Sequence, residues 1–326
     1  MTNVVIFPPY LSQNGGGGTR IYCEAISTLF ENDMNFNIQV SQVLPHPTKM
    51  FGYRYDMNAI KKLAEQSKPK IFHLNGYTSQ IVSQFVPFAK KNGINTVYTA
   101  HWHPFETMKH SFLKKQYFNL FVRPFLKDID AIVCINPEEE AFFRKYHDNV
   151  TLIPHWLKPL PFDLKPETKK EKMILFIGPL NYGNKGFNHL FYLPQNKYDI
   201  HCVGVGKAEL RSDMTQHVRI SIEELYSLYQ QAALLVVPSR YEAFSYVSLE
   251  ALSVGTPIVV SNNVRISDYL SDCKGCNVFE YNNPHDFNDK VEQTIGEQVD
   301  LELIRNRFSD QEAKKKYLSL YQSVIK

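Results

Sequence analysis

Short β-prone apolar runs alternate along the chain with segments whose apolar residues recur at helical spacing. In the first half NVVIFPPY, NIQVSQVL, KIFHLNGY, NTVYTAHW, AIVCIN and VTLIP read as strands. Helical spacing falls in IYCEAISTLF and near residues 56–67, 78–92, 108–127 and 137–146. NVVIFPPY carries a continuous apolar run, which is what a strand of a parallel sheet covered on both faces requires. The stretch PHWLKPLPFDLKPETKKEK, with Pro154, Pro159, Pro161 and Pro166 and few adjacent apolar residues, has the composition of a linker. After it the pattern restarts with MILFIG, DIHCVGVG, VRIS, ALLVVP and PIVVS. The chain therefore reads as α/β, with two Rossmann-like, doubly wound parallel-sheet domains. Their expected bounds are 1–157 and 172–308, joined by a linker at 158–171 and followed by a helix at 309–326.

The stretch with the most chemistry is PSRYEAFSYVSLEALSVGTPIVVS, residues 238–261. It reads as a loop leaving the strand LLVV, a short helix with Ser245 as N-cap, and a second buried strand. Glu242 falls in the loop and Glu250 in the second turn of the helix. The carboxyl end of a strand followed by a helix N-terminus is where open α/β sheets bind phosphorylated ligands, because unpaired N–H groups and the helix dipole favour an anion. Two carboxylates there would repel bare phosphate. They suit a ligand that offers hydroxyls beside its phosphates, as a nucleotide sugar does. Taken singly, each glutamate also reads as a solvated surface acid.

This stretch resembles the donor-site signature of retaining GT-B glycosyltransferases of the large family-four group, whose motif is two glutamates separated by seven residues, here Glu242 and Glu250. The resemblance implies two Rossmann-like domains facing across a cleft, with the last helix crossing back to the first. It implies that Glu242 contacts the donor sugar and Glu250 the ribose, while backbone amides around Ala243, Phe244 and Ser245 approach sugar and diphosphate. The family has glycines where this chain has Ala243 and Ser245, so the sugar pocket is expected to differ.

Three further segments fit that frame. QNGGGGTR between a strand and a helix is a phosphate-cradle layout, although its spacing matches neither GxGxxG nor the P-loop; the resemblance puts Gly17 and Gly18 near the diphosphate. His101, at the end of TVYTA, matches a family histidine near the donor sugar, with His103 as the alternate. In FIGPLNYGNKGF, Gly178 ends the strand and Lys185 can neutralise a diphosphate leaving group. The family's loop arginine is replaced by Pro179, and Arg240 or Arg20 could supply a second positive charge.

Composition adds limits. Hydrophobic residues make up 44% and charged residues 21%, ordinary for a globular protein, and no apolar run approaches a membrane span, so a cytoplasmic location is expected. The net charge of +3 hides an asymmetry: residues 1–160 hold 17 Lys/Arg against 12 Asp/Glu, and the remainder 19 against 21. Residues 108–127 mix lysines with aromatics, and this helix could lie peripherally on an anionic membrane or pack its aromatic side on the sheet, with Pro124 expected to break or kink it near its end. Five scattered cysteines argue against a disulfide framework, and the lone Cys273/Cys276 pair reads as a turn rather than a zinc site. Asp128 and Asp130 spell DxD but sit in a helix-to-strand turn, so no metal is expected.

The expected activity is transfer of a sugar from a nucleotide-diphosphate donor, a UDP-sugar by preference, to a glycan, lipid-linked or protein acceptor with retention of configuration. No cofactor and no nucleic-acid partner are expected. A nucleotide-sugar isomerase and a non-catalytic GT-B module partnering another transferase are the rival readings.

Overall fold

The computed structural model describes residues 1–9, 18–48, 53–77, 80–107, 110–160 and 162–325. The chain divides into two compact units, Met1–His155 with Asp310–Lys326, and Trp156–Ser309.

Strands of the first unit are β1 (Thr2–Phe7), β2 (Phe36–Val40), β3 (His46–Pro47), β4 (Tyr53–Arg54), β5 (Ile71–Asn75), β6 (Asn95–Thr99), β7 (Ala131–Cys134) and β8 (Val150–Leu152). Six form a sheet in the order β2-β1-β5-β6-β7-β8, every pairing parallel, while β3 and β4 make a short antiparallel pair. Its helices are α1 (Gly18–Leu29), α2 (Met57–Ser67), α3 (Ile81–Lys91), α4 (Ser111–Phe121), α5 (Pro137–Phe143) and a C-terminal helix, Asp310–Val324. Alternate strand residues feed two cores. Val5, Phe7, Phe72, Leu74, Tyr98, Ile132 and Cys134 join the large cluster that includes Phe85 of α3 and Phe143 of α5. On the opposite face, His73 of β5 and Thr99 of β6 meet Tyr22 of α1 and Tyr321 of the C-terminal helix. Burial on both sides explains why VVIF of β1 and AIVC of β7 read as unbroken apolar runs.

The second unit contains β9 (Lys170–Ile177), β10 (Asp199–Val203), β11 (Met214–His217), β12 (Ala232–Val237), β13 (Ile258–Ser261) and β14 (Cys276–Phe279), with α6 (Ile222–Gln231), α7 (Tyr246–Ser253), α8 (Pro284–Thr294) and α9 (Leu301–Arg307). Its parallel sheet runs β11-β10-β9-β12-β13-β14, so strand order reverses between β9 and β12. In a doubly wound sheet that reversal opens a crevice beyond the carboxyl ends of the two strands.

Two sequence expectations need correction. VRIS is not a strand: β11 lies just before it, and Val218 is exposed. Ser221 instead caps α6, accepting from the Glu224 amide while Glu224 accepts from Ser221, and this capping box outweighs the β-propensity of Val218 and Ile220. The helix expected over 108–127 is also shorter. It ends at Phe121 and a 3₁₀ turn follows over Arg123–Asp128, because Pro124 cannot donate to the preceding turn. On α4, Phe118 is buried while Phe112, Leu113 and Leu120 are exposed.

Candidate active site

The crevice of the second unit is built by two loops. The first leaves β9 at Gly178 and returns through a 3₁₀ turn, Gly183–Lys185. The second leaves β12 at Pro238 and carries Ser239, Arg240 and Glu242 towards the N-cap of α7 at Ser245. Asn184 ties them together: its side-chain amide donates to the Tyr241 carbonyl (3.0 Å), and its own carbonyl accepts from the Arg240 amide (2.8 Å).

Close approach of backbones makes this possible. Gly186 has φ of +71°, and a β-carbon there would lie 1.8 Å from the Pro238 carbonyl oxygen, so only glycine lets the loops touch. At Gly178 a β-carbon would press on the stem of Lys185 at 3.0–3.3 Å. The missing side chain is what allows that lysine to lie over the end of β9.

Lys185 and Glu242 thereby meet. The ammonium donates to Glu242 Oε1 at 2.9 Å, and the Ser239 hydroxyl donates to the same oxygen at 2.5 Å. Both side chains are largely shielded, with 27% and 13% exposure, so the pair is less screened than a surface ion pair. The Glu242 backbone is fixed as well: its amide donates to the Asn263 carbonyl (3.1 Å), and its carbonyl accepts from the Arg265 amide (3.0 Å). Such double anchoring holds a carboxylate in one place without a ligand.

Glu250 takes a different set of partners. It sits on α7, accepts from the Tyr229 hydroxyl of α6 at 3.0 Å, and lines a cavity of about 170 Å³ with Trp156, Lys158, Tyr226, Tyr246 and Arg305. Burial pushes its carboxyl above the usual range, opposed by the Tyr229 hydrogen bond and by Lys158. The Lys158 ammonium lies over the Tyr246 ring, 5.1 Å from its centroid. Ser245 caps α7 through its hydroxyl, which accepts from the Ser248 amide, and does so at φ of +150°, a conformation that favours glycine. Phe244 is buried against Tyr269 and Phe308, and Ala243 is buried beside it, so their backbones rather than their side chains are suited to a ligand.

In the first unit the expected imidazole, His101, is neutral. His101 follows β6 at φ of +49°, its Nε2 is 3.1 Å from Asn75 Oδ1, and its ring packs edge-on against Tyr22. Burial and the neighbouring His103 depress its pKa to about 3, so the ring hydrogen-bonds without carrying charge. The loop that carries it is held by Glu139, fully buried on α5, which accepts from the Trp102 amide (2.9 Å) and the Ile135 amide (2.8 Å). Burial raises the Glu139 carboxyl to about 7, against those two hydrogen bonds.

The remaining expectations are placed as follows. Gly17 lies outside the described residues, and Gly18 opens α1. Arg20 is engaged by Glu24 on its own helix at 2.7 Å, whereas the charge of Arg240 is felt by Tyr281. Asp130 accepts from the Thr96 amide and Asp128 pairs with Lys90, each at 2.7 Å. Among the described residues no group of three or more His, Cys, Asp or Glu side chains is arranged to hold a metal, and no helix is long and apolar enough to cross a membrane. Asn184, Ser239, Tyr229 and Glu139 were not singled out by sequence. Only Glu139 carried a signal, three residues after the N-cap Asn136.

Comparison with known proteins covers both units. Residues 16–158 match the family "Glycosyltransferase Family 4" and residues 162–315 match "Glycosyl transferases group 1". A stretch of 151 residues is 29% identical to an uncharacterised glycosyltransferase of Methanocaldococcus jannaschii, covering 37% of this chain and 38% of that relative. The chain thus spans well under half of that relative's length in the match. Among solved structures, sucrose-phosphate synthase from Thermosynechococcus elongatus superposes with a TM-score of 0.74 at 16% identity, covering 99% of this chain and 98% of the other. The Anabaena protein HepE, solved with UDP and glucose, superposes with a TM-score of 0.68 at 12% identity, covering 99% and 100%.

Proposed function

We propose that this chain, which has the GT-B fold, is a glycosyltransferase that moves a sugar from a nucleoside-diphosphate donor to an acceptor hydroxyl with retention of configuration. The observation that carries the reading is the meeting of Lys185 and Glu242 at the strand-order reversal between β9 and β12. Departure of the diphosphate places charge on phosphate oxygens. Lys185 and the amides at the start of α7 are the groups that stabilise it. Glu242 accepts from the donor-sugar hydroxyls and Glu250 from the ribose. No metal is invoked, because Lys185 supplies the cation.

A UDP-sugar is the preferred donor, supported by the UDP and glucose held by the Anabaena protein. The acceptor class is a glycan, a lipid-linked glycan or a protein. Peripheral contact with an anionic membrane is assigned to α4, whose exposed Phe112, Leu113 and Leu120 accompany Lys114 and Lys115.

The test is a panel of UDP-sugars assayed for hydrolysis and transfer, with products identified by mass. Glu242→Ala should lower turnover about 100- to 1,000-fold, the range seen when one transition-state contact is removed. Glu250→Ala should chiefly raise the donor KM. Wild-type turnover in both variants would defeat the assignment.

A further inference from the structure

The chain has five free cysteines, and Cys23, Cys134 and Cys202 are fully enclosed. Cys273 and Cys276 differ. They flank the turn that opens edge strand β14, and Cys276 Sγ donates to Cys273 Sγ at 3.3 Å. Cys273 is buried and Cys276 half-exposed. The turn is pinned on both sides: the Cys273 amide donates to the Leu270 carbonyl (3.0 Å), and the Gly275 carbonyl accepts from the Ile258 amide (2.7 Å). Two sulfurs in contact on a fixed turn need only a small rotation to bond.

We propose that Cys273 and Cys276 form a reversible dithiol, a modification site that exchanges with low-molecular-weight disulfides. One thiolate attacks a sulfur of the incoming disulfide, forming a mixed disulfide and releasing one small thiolate. The second cysteine, as thiolate, attacks the protein sulfur of that mixed bond, closing the Cys273–Cys276 disulfide and releasing the second small thiolate. The protein loses two electrons and two protons, and the small disulfide gains them as two thiols. Cys273, which accepts the Cys276 S–H and so carries the thiolate, attacks first, and the more exposed Cys276 resolves the adduct.

The local chemistry supports the first step. The Cys273 thiol is held below the usual range, because the Cys276 S–H donates to it and Arg307 adds positive potential, while that same hydrogen bond and burial push Cys276 up. The ring that would close is very short, so it constrains the unfolded chain far less than a long-range cross-link. That argues for a modifiable site rather than a structural staple. Position argues the same way: Cys276 begins β14, whereas Lys185 and Glu242 lie beyond the carboxyl ends of strands in the same parallel sheet. The pair therefore stands at the opposite edge from the candidate active site and is independent of the function proposed for it.

The experiment treats the full chain under native conditions with graded ratios of reduced to oxidised glutathione, quenches with acid, labels free thiols, and maps them by mass. The expected product is a peptide that has lost two hydrogens across Cys273 and Cys276, regains them with dithiothreitol, and follows the glutathione ratio. Cys23, Cys134 and Cys202 should take label only after denaturation. Two free thiols at every ratio, or a glutathione adduct that persists on either cysteine, would overturn the proposal. Cys276→Ser should trap glutathione on Cys273; a variant inert to glutathione would remove the assigned attacking thiolate.

Discussion

Beyond the carboxyl ends of its strands the first unit presents His101 and Asn75, with His73 and Thr99 hydrogen-bonded beneath them. The second presents Lys185, Ser239 and Glu242 in the corresponding place. Both are parallel sheets with helices on each face, so topology cannot be the source of the difference. In the first unit burial keeps imidazoles uncharged, His73 and His101 each falling to about 3. In the second, two glycines admit an opposite-charge pair and two loops clamp it. The contrast teaches that one scaffold can end in two kinds of chemistry: neutral hydrogen-bonding imidazoles on one sheet and a clamped opposite-charge pair on the other.

The largest effect should come from exchanging charge for shape on each side. Lys185→Met should weaken UDP binding by about 10- to 100-fold, the worth of one or two hydrogen bonds to a charged group. His101→Gln, which keeps a neutral hydrogen-bonding group, should leave UDP affinity within about twofold on the same scale. Calorimetry with UDP reads both, and equal losses in the two variants would erase the contrast.

A moderate effect is expected at Glu139, where the first unit does hide an acid. Its carboxyl is raised from 4.5 to about 7, so the folded state holds its proton more tightly than the unfolded state does. Its contribution to stability is therefore fully present below about pH 4.5 and is lost as pH rises through about 7. Glu139→Gln imitates the protonated acid. Melting curves from pH 5 to 8 should show the wild type losing stability relative to this variant, and parallel curves would mean that the buried carboxyl titrates normally.

The smallest effect sharpens the second unit's side. Ser245→Gly removes a capping hydroxyl worth a few tenths of a kcal/mol relative to glycine, but relieves a backbone strain of roughly 1 kcal/mol or more. A slight rise in thermal midpoint is expected. A fall would show that the hydroxyl matters more than the strain.

Much of the scaffold was legible in sequence because strands buried on both faces cannot hide their continuity: AALLVV is buried at every position. VRIS failed because a capping box acts locally and overrides β-propensity, whereas the break after Phe121 was legible in Pro124. Lys185, Glu242 and Glu250 were visible through resemblance, and Ser245 as a departure from it. Asn184 and Ser239 were not, since polar loop residues gain meaning only from partners remote in sequence. Glu139 stands in a run of three glutamates, and only its place three residues after the N-cap Asn136 sets it apart from the other two.

The C-terminal helix belongs to the first unit, where Tyr317 meets the Tyr22 hydroxyl and Tyr321 meets His73. On the ribosome, at about 5–20 residues per second, those tyrosines are made some 8–30 s after residue 155. Until then His73 and Tyr22 lack these hydroxyl partners, while the uninterrupted stretch 156–309 can already have folded. The unit translated earlier of the two thus waits for a helix translated after the other.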